Sequence, residues 1–187
     1  RDSLVDSRPD INPVDPPLDF KTTSLEWIAQ SWAEALEAEL GGKKHPKETK
    51  LNAAMEKLTE QFGYRLDLEG ADAVTKEKPL NERINEAVNR SFDKWAAQLP
   101  AGSVPQYQWD CVLGAVDDAW IDHLEDLESL KDNANLETYA GKDPFDAYQE
   151  LTVKAFDKMW KRIHADIGTR LFPQMEKDAA FWQSLPK

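Results

Sequence analysis

The fold is decided by one stretch, WIDHLEDLESLKDNANLETYAGKDPFDAYQELTVKAFDKMWKRI, residues 120–163. Trp120, Leu124, Leu127 and Leu130, with Leu113 and Val116 before them, recur at spacings of three and four. That period places them on one side of a helix. It predicts a helix from about Ser103 to Asp132 with these residues as its buried seam. Residues 133–142 are polar and lose the period, so they read as a loop. Asp143-Pro144 restarts a helix, because an Asp side chain caps free N–H groups and Pro suits the first helical position. Phe145, Tyr148, Thr152, Phe156, Met159, Ile163 and Ile167 then run at helical spacing up to Gly168, the expected stop. A short last helix is expected over Pro173–Trp182.

Two long helices with a short connection pack most simply as an antiparallel hairpin. Charge agrees. Val112–Glu150 carries eleven acidic and two basic residues, and Leu151–Phe172 carries five basic and two acidic. Folding the chain back sets acid against base, with Asp117 and Asp118 expected opposite Lys158 and Lys161. Exposed pairs contribute only ~0–1 kcal/mol each, so they select the pairing while the apolar seam stabilises it.

Towards the N-terminus, Leu25, Ile28, Trp32, Leu36 and Leu40 mark another helix. Thr23 and Glu26 have capping-box spacing at its start, and Gly41-Gly42 suits its end. A further helix is expected from Pro46 to Phe62 on Leu51, Ala54, Met55, Leu58 and Phe62, closed by Gly63. Tyr64-Arg-Leu-Asp-Leu68 alternates and is too short for a helix, so it reads as a brief extended segment. Residues 70–79 read as a loop. Leu80, Ile84, Ala87, Val88, Ser91, Trp95 and Leu99 predict a helix ended by Pro100-Ala101-Gly102. The chain is therefore expected to be all-α in two lobes, a helical wing-like lobe over residues 22–100 and a hairpin with its short last helix over residues 101–187. Residues 1–21, with Pro9, Pro13, Pro16 and Pro17, read as an extended arm or linker. The opening Arg1-Asp2-Ser3 is what a processed N-terminus, or one cut from something larger, would show.

Composition narrows the function. With 41% hydrophobic and 31% charged residues, the 187-residue chain has the makings of a packed core. A net charge of −12 speaks against nucleic acid and against anionic lipid as partners. Cys111 is the single cysteine; it cannot close a disulfide within the chain and is read as a buried small residue in a reducing compartment. No apolar run approaches the ~18 residues that span a bilayer. No phosphate-cradling G-x-x-x-x-G-K-[ST] occurs, and Gly41-Gly42-Lys43-Lys44 has the wrong spacing. None of His45, His123 and His164 follows a Glu at the spacing of carboxylate-bridged metal bundles. Neither a metal nor a catalytic residue is expected, and Asp117-Asp118 reads as a solvated helix face.

One pattern goes further. Trp120-x-x-His123-Leu124, then Leu130-Lys131, then Tyr139-Ala-Gly-Lys142-Asp143-Pro144, then Tyr148 and Phe156-Asp-Lys-Met159, resembles the SecA preprotein translocase family. There the order is W-x-x-H-L, L-R, R-G-Y-A-Q-K-D-P, E-Y-K and a Phe-rich helix. Phe62-Gly-Tyr-Arg-Leu-Asp-Leu68 is similar to that family's F-G-L-D-L-P element. The resemblance runs from about residue 45 to residue 168. It implies a helical wing beside a helical scaffold, whose two-helix finger meets the cytoplasmic mouth of a SecY channel and the moving polypeptide. The finger tip would be Tyr139, with Glu137 and Lys142 beside it. Trp120, His123, Leu124, Asp143, Pro144 and Tyr148 would be structural members of the motif. ATP and Mg2+ would belong to motor domains outside this chain, so no cofactor is expected in it. The implied partners are unfolded preprotein and a SecY-type channel or SecA motor domains. The implied location is cytoplasmic, peripheral at the inner face of the plasma membrane through those partners.

The chain departs from the family at the tip. Glu137 stands where Arg is usual, Thr138 replaces Gly, Gly141 replaces Gln, and Ala147-Tyr148-Gln149 replaces E-Y-K. Two plainer accounts therefore stand beside the translocation role. One is a stand-alone helical adaptor that keeps the scaffold without motor domains. The other is a small enzyme with carboxylates in a cleft between helices. Tyr139 is read either as a substrate-gripping residue or as a loop tyrosine packed on the hairpin. Trp120 is expected in the core and His123 as a hydrogen-bonded interface histidine.

Overall fold

The computed structural model describes residues 20–41, 46–68, 78–100, 102–137 and 143–184, without the side chains of residues 133–137, 144, 182 and 183. The expected arm over residues 1–21 and loop over residues 70–79 fall almost wholly outside these. Among the described residues five helices form: α1 Phe20–Leu40, α2 Glu48–Phe62, α3 Leu80–Ala96, α4 Ser103–Glu137 and α5 Pro144–Ser184. No strand occurs among the described residues, and the fold is all-α.

The stripe predicted for α1 is its core face, with Leu25, Ile28, Trp32 and Leu36 all at most 1% exposed. The helix starts before Thr23, so that residue lies inside it and the capping box does not form; Ser24 Oγ donates to the Lys21 carbonyl at 3.1 Å instead. Likewise α2 begins after Pro46, with Lys47 at its cap, and ends on Gly63 at φ 73°, whose N–H donates to the Thr59 carbonyl. Glycine reaches that left-handed geometry without strain. Beyond it Tyr64, Leu66 and Leu68 are buried while Arg65 and Asp67 are exposed, as the alternation required. The α3 face is met at Ile84, Ala87 and Val88, but Phe92 is its largest buried side chain, and the expected Trp95 is only half-buried.

The hairpin forms, in a different rotation and register from the expected one. On α4 the buried seam is Val112, Ala115, Ala119 and His123, each one residue before the predicted Leu113, Val116, Trp120 and Leu124. The physical reason is size. Alanines let two helix backbones approach closely, and Ala147 and Ala155 are buried on α5. Leu113, Trp120, Leu124, Phe145 and Phe156, read as core, stand between 45% and 70% exposed. Acid still faces base. Because α4 continues past Asp132 to Glu137, the pairs shift: Asp126 meets Lys158 at 3.4 Å, Asp122 meets Arg162 and Asp118 meets Arg170. Lys161 turns to Glu34 of α1 at 3.3 Å.

Nor does Gly168 end α5, which runs unbroken through it and through Pro173 to Ser184. A proline within a helix normally costs ~3 kcal/mol, because it cannot donate to the carbonyl four residues back. Here Leu171, Phe172, Met175 and Ala179 are buried around it and hold the helix on course. Gly168 serves close approach. A Cβ there would run into the Tyr64 hydroxyl and press on Ile28 Cγ2 at 3.2 Å. Tyr64 stacks on Phe172 at 4.8 Å and accepts a hydrogen bond from Trp32 Nε1 at 2.6 Å, so α1, the segment after α2, and α5 meet at this point.

Gly168→Ala should lower stability by ~1–3 kcal/mol, the cost of overfilling a packed site. Gly114→Ala should instead hold or raise stability, by up to ~1 kcal/mol, because alanine is the better helix former and its nearest neighbour is the flexible end of the Arg170 side chain at 3.0 Å. Urea midpoints of the two variants check the contrast. Tyr64→Phe leaves the buried Trp32 indole N–H without its acceptor and should cost ~1–3 kcal/mol in the same assay.

Candidate functional site

The hairpin has two unlike faces. One carries the ion pairs just described. The other carries a line of aromatic rings, which begins on α4 with Trp120 against His123 at 5.8 Å. It crosses to α5 with His123 against Phe156 at 6.2 Å and continues as Phe156 stacked with Trp160 at 6.5 Å. Trp160 then meets His164 at 5.2 Å, and Trp27 of α1 stacks on that imidazole at 5.2 Å and 11°. Phe156, Trp160 and His164 are spaced by four, which puts all three on one side of α5. Trp120, Leu124, Phe156 and Trp160 remain 40–50% exposed.

The two histidines anchor this line from below. Both are buried, and His123 Nδ1 and His164 Nε2 have no hydrogen-bond partner. His123 thus sits at the interface as expected, but its Nδ1 lacks the expected hydrogen bond, and its ring neighbours, Trp120 and Phe156, offer it none. Burial pushes the His164 imidazole below its ordinary range, opposed by the charge of Glu34. Glu34 itself is held below the usual carboxylate range by the hydrogen bond from Gln30 and by Lys161. Glu34, Lys161 and His164, with Ser31, Gln61 and Phe62, line a small cleft of about 180 Å³ between α1, the end of α2, and α5.

The motif residues fall in different places. Asp143 caps α5, its Oδ1 accepting from the Phe145 and Asp146 N–H groups at 2.8 and 3.3 Å, and Pro144 takes the first helical position. Tyr148 is half-buried on α5, Leu124 is exposed, and Trp120 is a surface residue, not a core one. Glu137 is the last residue of α4. Tyr139 and Lys142 lie outside the described residues. Cys111 is half-buried, and burial pushes its thiol up. Among the described residues no group of three His, Cys, Asp or Glu could hold a metal ion. No described helix is long and apolar enough to cross a membrane. Sequence reading missed Trp27, Trp160 and His164. The aromatic spacing Phe156, Trp160, His164 was the available signal.

These features define an all-helical scaffold module, a long hairpin braced at its base by shorter helices and carrying an exposed aromatic face. The family described as "SecA Wing and Scaffold domain" matches residues 15–174, and the chain belongs to that family. Curated relatives include the protein translocase subunit SecA of Thermodesulfovibrio yellowstonii, 30% identical over 63% of this chain and 13% of that protein. The subunit of the same name from Picosynechococcus is 25% identical over 82% of this chain and 17% of that protein. That of Nitrosomonas eutropha is 32% identical over 59% of this chain and 12% of that protein. The chain thus spans less than a fifth of the length of these relatives. No solved structure matches it.

A lowered folded pKa at His164 means that the unfolded chain binds the extra proton first as pH falls. The stabilisation is complete above about pH 6.5 and declines as pH drops from there towards the folded value. The Glu34 contribution is lost only lower, through the carboxylate range. The urea midpoint should therefore fall between about pH 7 and pH 5, and His164→Phe, which keeps a ring against Trp27, should flatten that slope.

Proposed function

We propose that this chain acts in protein translocation as a non-catalytic wing and scaffold segment, its hairpin contacting unfolded preprotein and the translocation channel during ATP-driven export. The observation that carries this reading is the exposed line Trp120, Phe156 and Trp160 along one face of the hairpin. Large half-exposed rings grouped on one face mark a surface meant for contact. They lie on the two helices that lead to Tyr139, the residue that the family resemblance puts at the finger tip. In this reading the wing covers residues 22–100 and the finger lies within residues 101–187. The motor, with its ATP and Mg2+, is separate, and the location is cytoplasmic and peripheral to the membrane through the channel.

The departures at the tip favour one second reading, a helical adaptor that keeps the scaffold without a motor. Glu137 reverses a charge next to the tip, and α4 is strongly acidic.

Photo-crosslinkers placed at positions 139 and 156 separate the two in a reconstituted mixture of motor, channel and stalled secretory substrate. Crosslinks to substrate or channel from both positions are expected of a translocation finger. Well-folded protein that yields none would leave the adaptor reading. The pure chain should release phosphate from ATP no faster than buffer does, and turnover above that level would refute the non-catalytic assignment.

A further inference from the structure

We infer that His164 is a proton-operated latch between α1 and α5: when neutral, its ring lies stacked beneath Trp27, and when protonated, it turns out into the adjoining cleft and takes Glu34 from Lys161. The stacked position suits only a neutral ring. His164 is 5% exposed. Trp27 lies parallel to it at 5.2 Å, Trp160 meets it edge-on at 5.2 Å, and the two indoles meet each other at 5.5 Å. Its Nε2 is enclosed with no hydrogen-bond partner. A neutral imidazole carries one proton and can leave Nε2 bare, whereas an imidazolium carries an N–H on both nitrogens. The Nε2–H of a stacked imidazolium would be a buried, charged donor without an acceptor, which is costly. Burial accordingly holds the ring below its ordinary range.

The cleft supplies the second position. It offers about 180 Å³ beside the ring, lined in part by Ser31, Glu34 and Lys161. Glu34 is the charge that opposes the effect of burial on the imidazole. One of its oxygens accepts from Gln30 Nε2 at 3.0 Å, and the other faces Lys161 at 3.3 Å. The Lys161 side chain is 66% exposed, so that pair is weak and open to exchange. Other charged groups near the ring are engaged. Arg162 and Asp166, its neighbours on α5, pair with each other at 3.4 Å. From α4, Asp118 and Asp122 pair with Arg170 and Arg162 on the opposite face of the hairpin. The α2 residues of the cleft, Gln61 and Phe62, are uncharged, and α3 adds no described residue to it. Turning out takes the ring from Trp27 and leaves α1 held to α5 by Ile28 against Gly168 and by the core beyond. Acid therefore loosens the joint at its cleft end while the rest of the chain stays folded. The latch needs no partner and stands apart from the translocation role.

NMR titration of the whole chain tests it, with the ring and indole signals assigned through H164F and W27F. A turned-out ring has the ordinary histidine pKa of about 6.5 and a stacked one stays neutral, so the turned-out form gains ~10-fold between pH 7.5 and pH 5.5. The contact between the His164 ring and the Trp27 indole at pH 7.5 should fade by pH 5.5. The Trp27 signal should move with the same midpoint as the ring, while that of the core Trp32 stays fixed. Glu34→Gln removes the acceptor and should lower the midpoint. Lys161→Ala frees the same acceptor and should raise it. In H164F the Trp27 signal should not move across this range; if that variant fails to fold, the opposite shifts of Glu34→Gln and Lys161→Ala carry the test. A ring that titrates while keeping its contact with Trp27 overturns the proposal, because the charged form is then held by the indole face. So does a Trp27 signal that still moves in H164F, or a midpoint that neither Glu34→Gln nor Lys161→Ala shifts. Loss of all indole signals together is unfolding of the whole chain and overturns it as well.

Discussion

The structure depends on one meeting of side chains, that of Trp32, Tyr64, Phe172 and Gly168. A fully buried tryptophan must place its N–H, and an isolated helix offers it no acceptor. Tyr64 supplies the oxygen from the extended segment after α2, and burial keeps that phenol protonated. To reach Trp32 the tyrosine must lie flat against α5, stacked on Phe172, which only a glycine at position 168 permits. Three separate pieces of chain are tied by this one arrangement, and Ile28, Leu171 and Met175 fill the space around it. Hydrophobic burial supplies most of the driving force, but the hydrogen bond and the missing Cβ decide how the wing sits on the hairpin.

A second constraint works at the hairpin seam. On α4 the seam is built on Ala115 and Ala119, and on α5 Ala155 is buried in line with Met159, Ile163 and Ile167. Trp120, Leu124 and Phe156 are displaced to the surface as a consequence. The seam thus makes the exposed aromatic face, and the cross-hairpin ion pairs fix which side that face lies on.

This coupling gives the family relationship physical content. The short motif Asp143-Pro144 is a helix start, and it sets where α5 begins and so the register in which Asp126 meets Lys158. Trp120 and His123 are neighbours in sequence but do opposite things. One stands half-exposed while the other is sunk beneath the rings with a nitrogen unpaired. The aromatic face continues from the surface that α1 covers. The packing of α1 and the exposed aromatic face are therefore parts of one packing problem, and the buried imidazole of His164 lies at the boundary between them.

The sequence by itself determined that the chain is helical, where most helices lie, and that two long ones return on each other with acid facing base. Periodicity, glycine and proline placement and charge are local properties, so they could be read from neighbours along the chain. The alternation at Tyr64–Leu68 and the Asp143 cap were legible for the same reason. The rotation of α4 was not. Apolar residues occupy two adjacent stripes of that helix, and only the close approach of α5 selects the smaller ones as the seam. Gly168 and Pro173 were misread as breaks because a local rule treats them as helix enders, whereas the tertiary structure uses the first for a tyrosine and buries the residues around the second. The exposed aromatic face followed from these two decisions, so packing between segments far apart in the chain produced it.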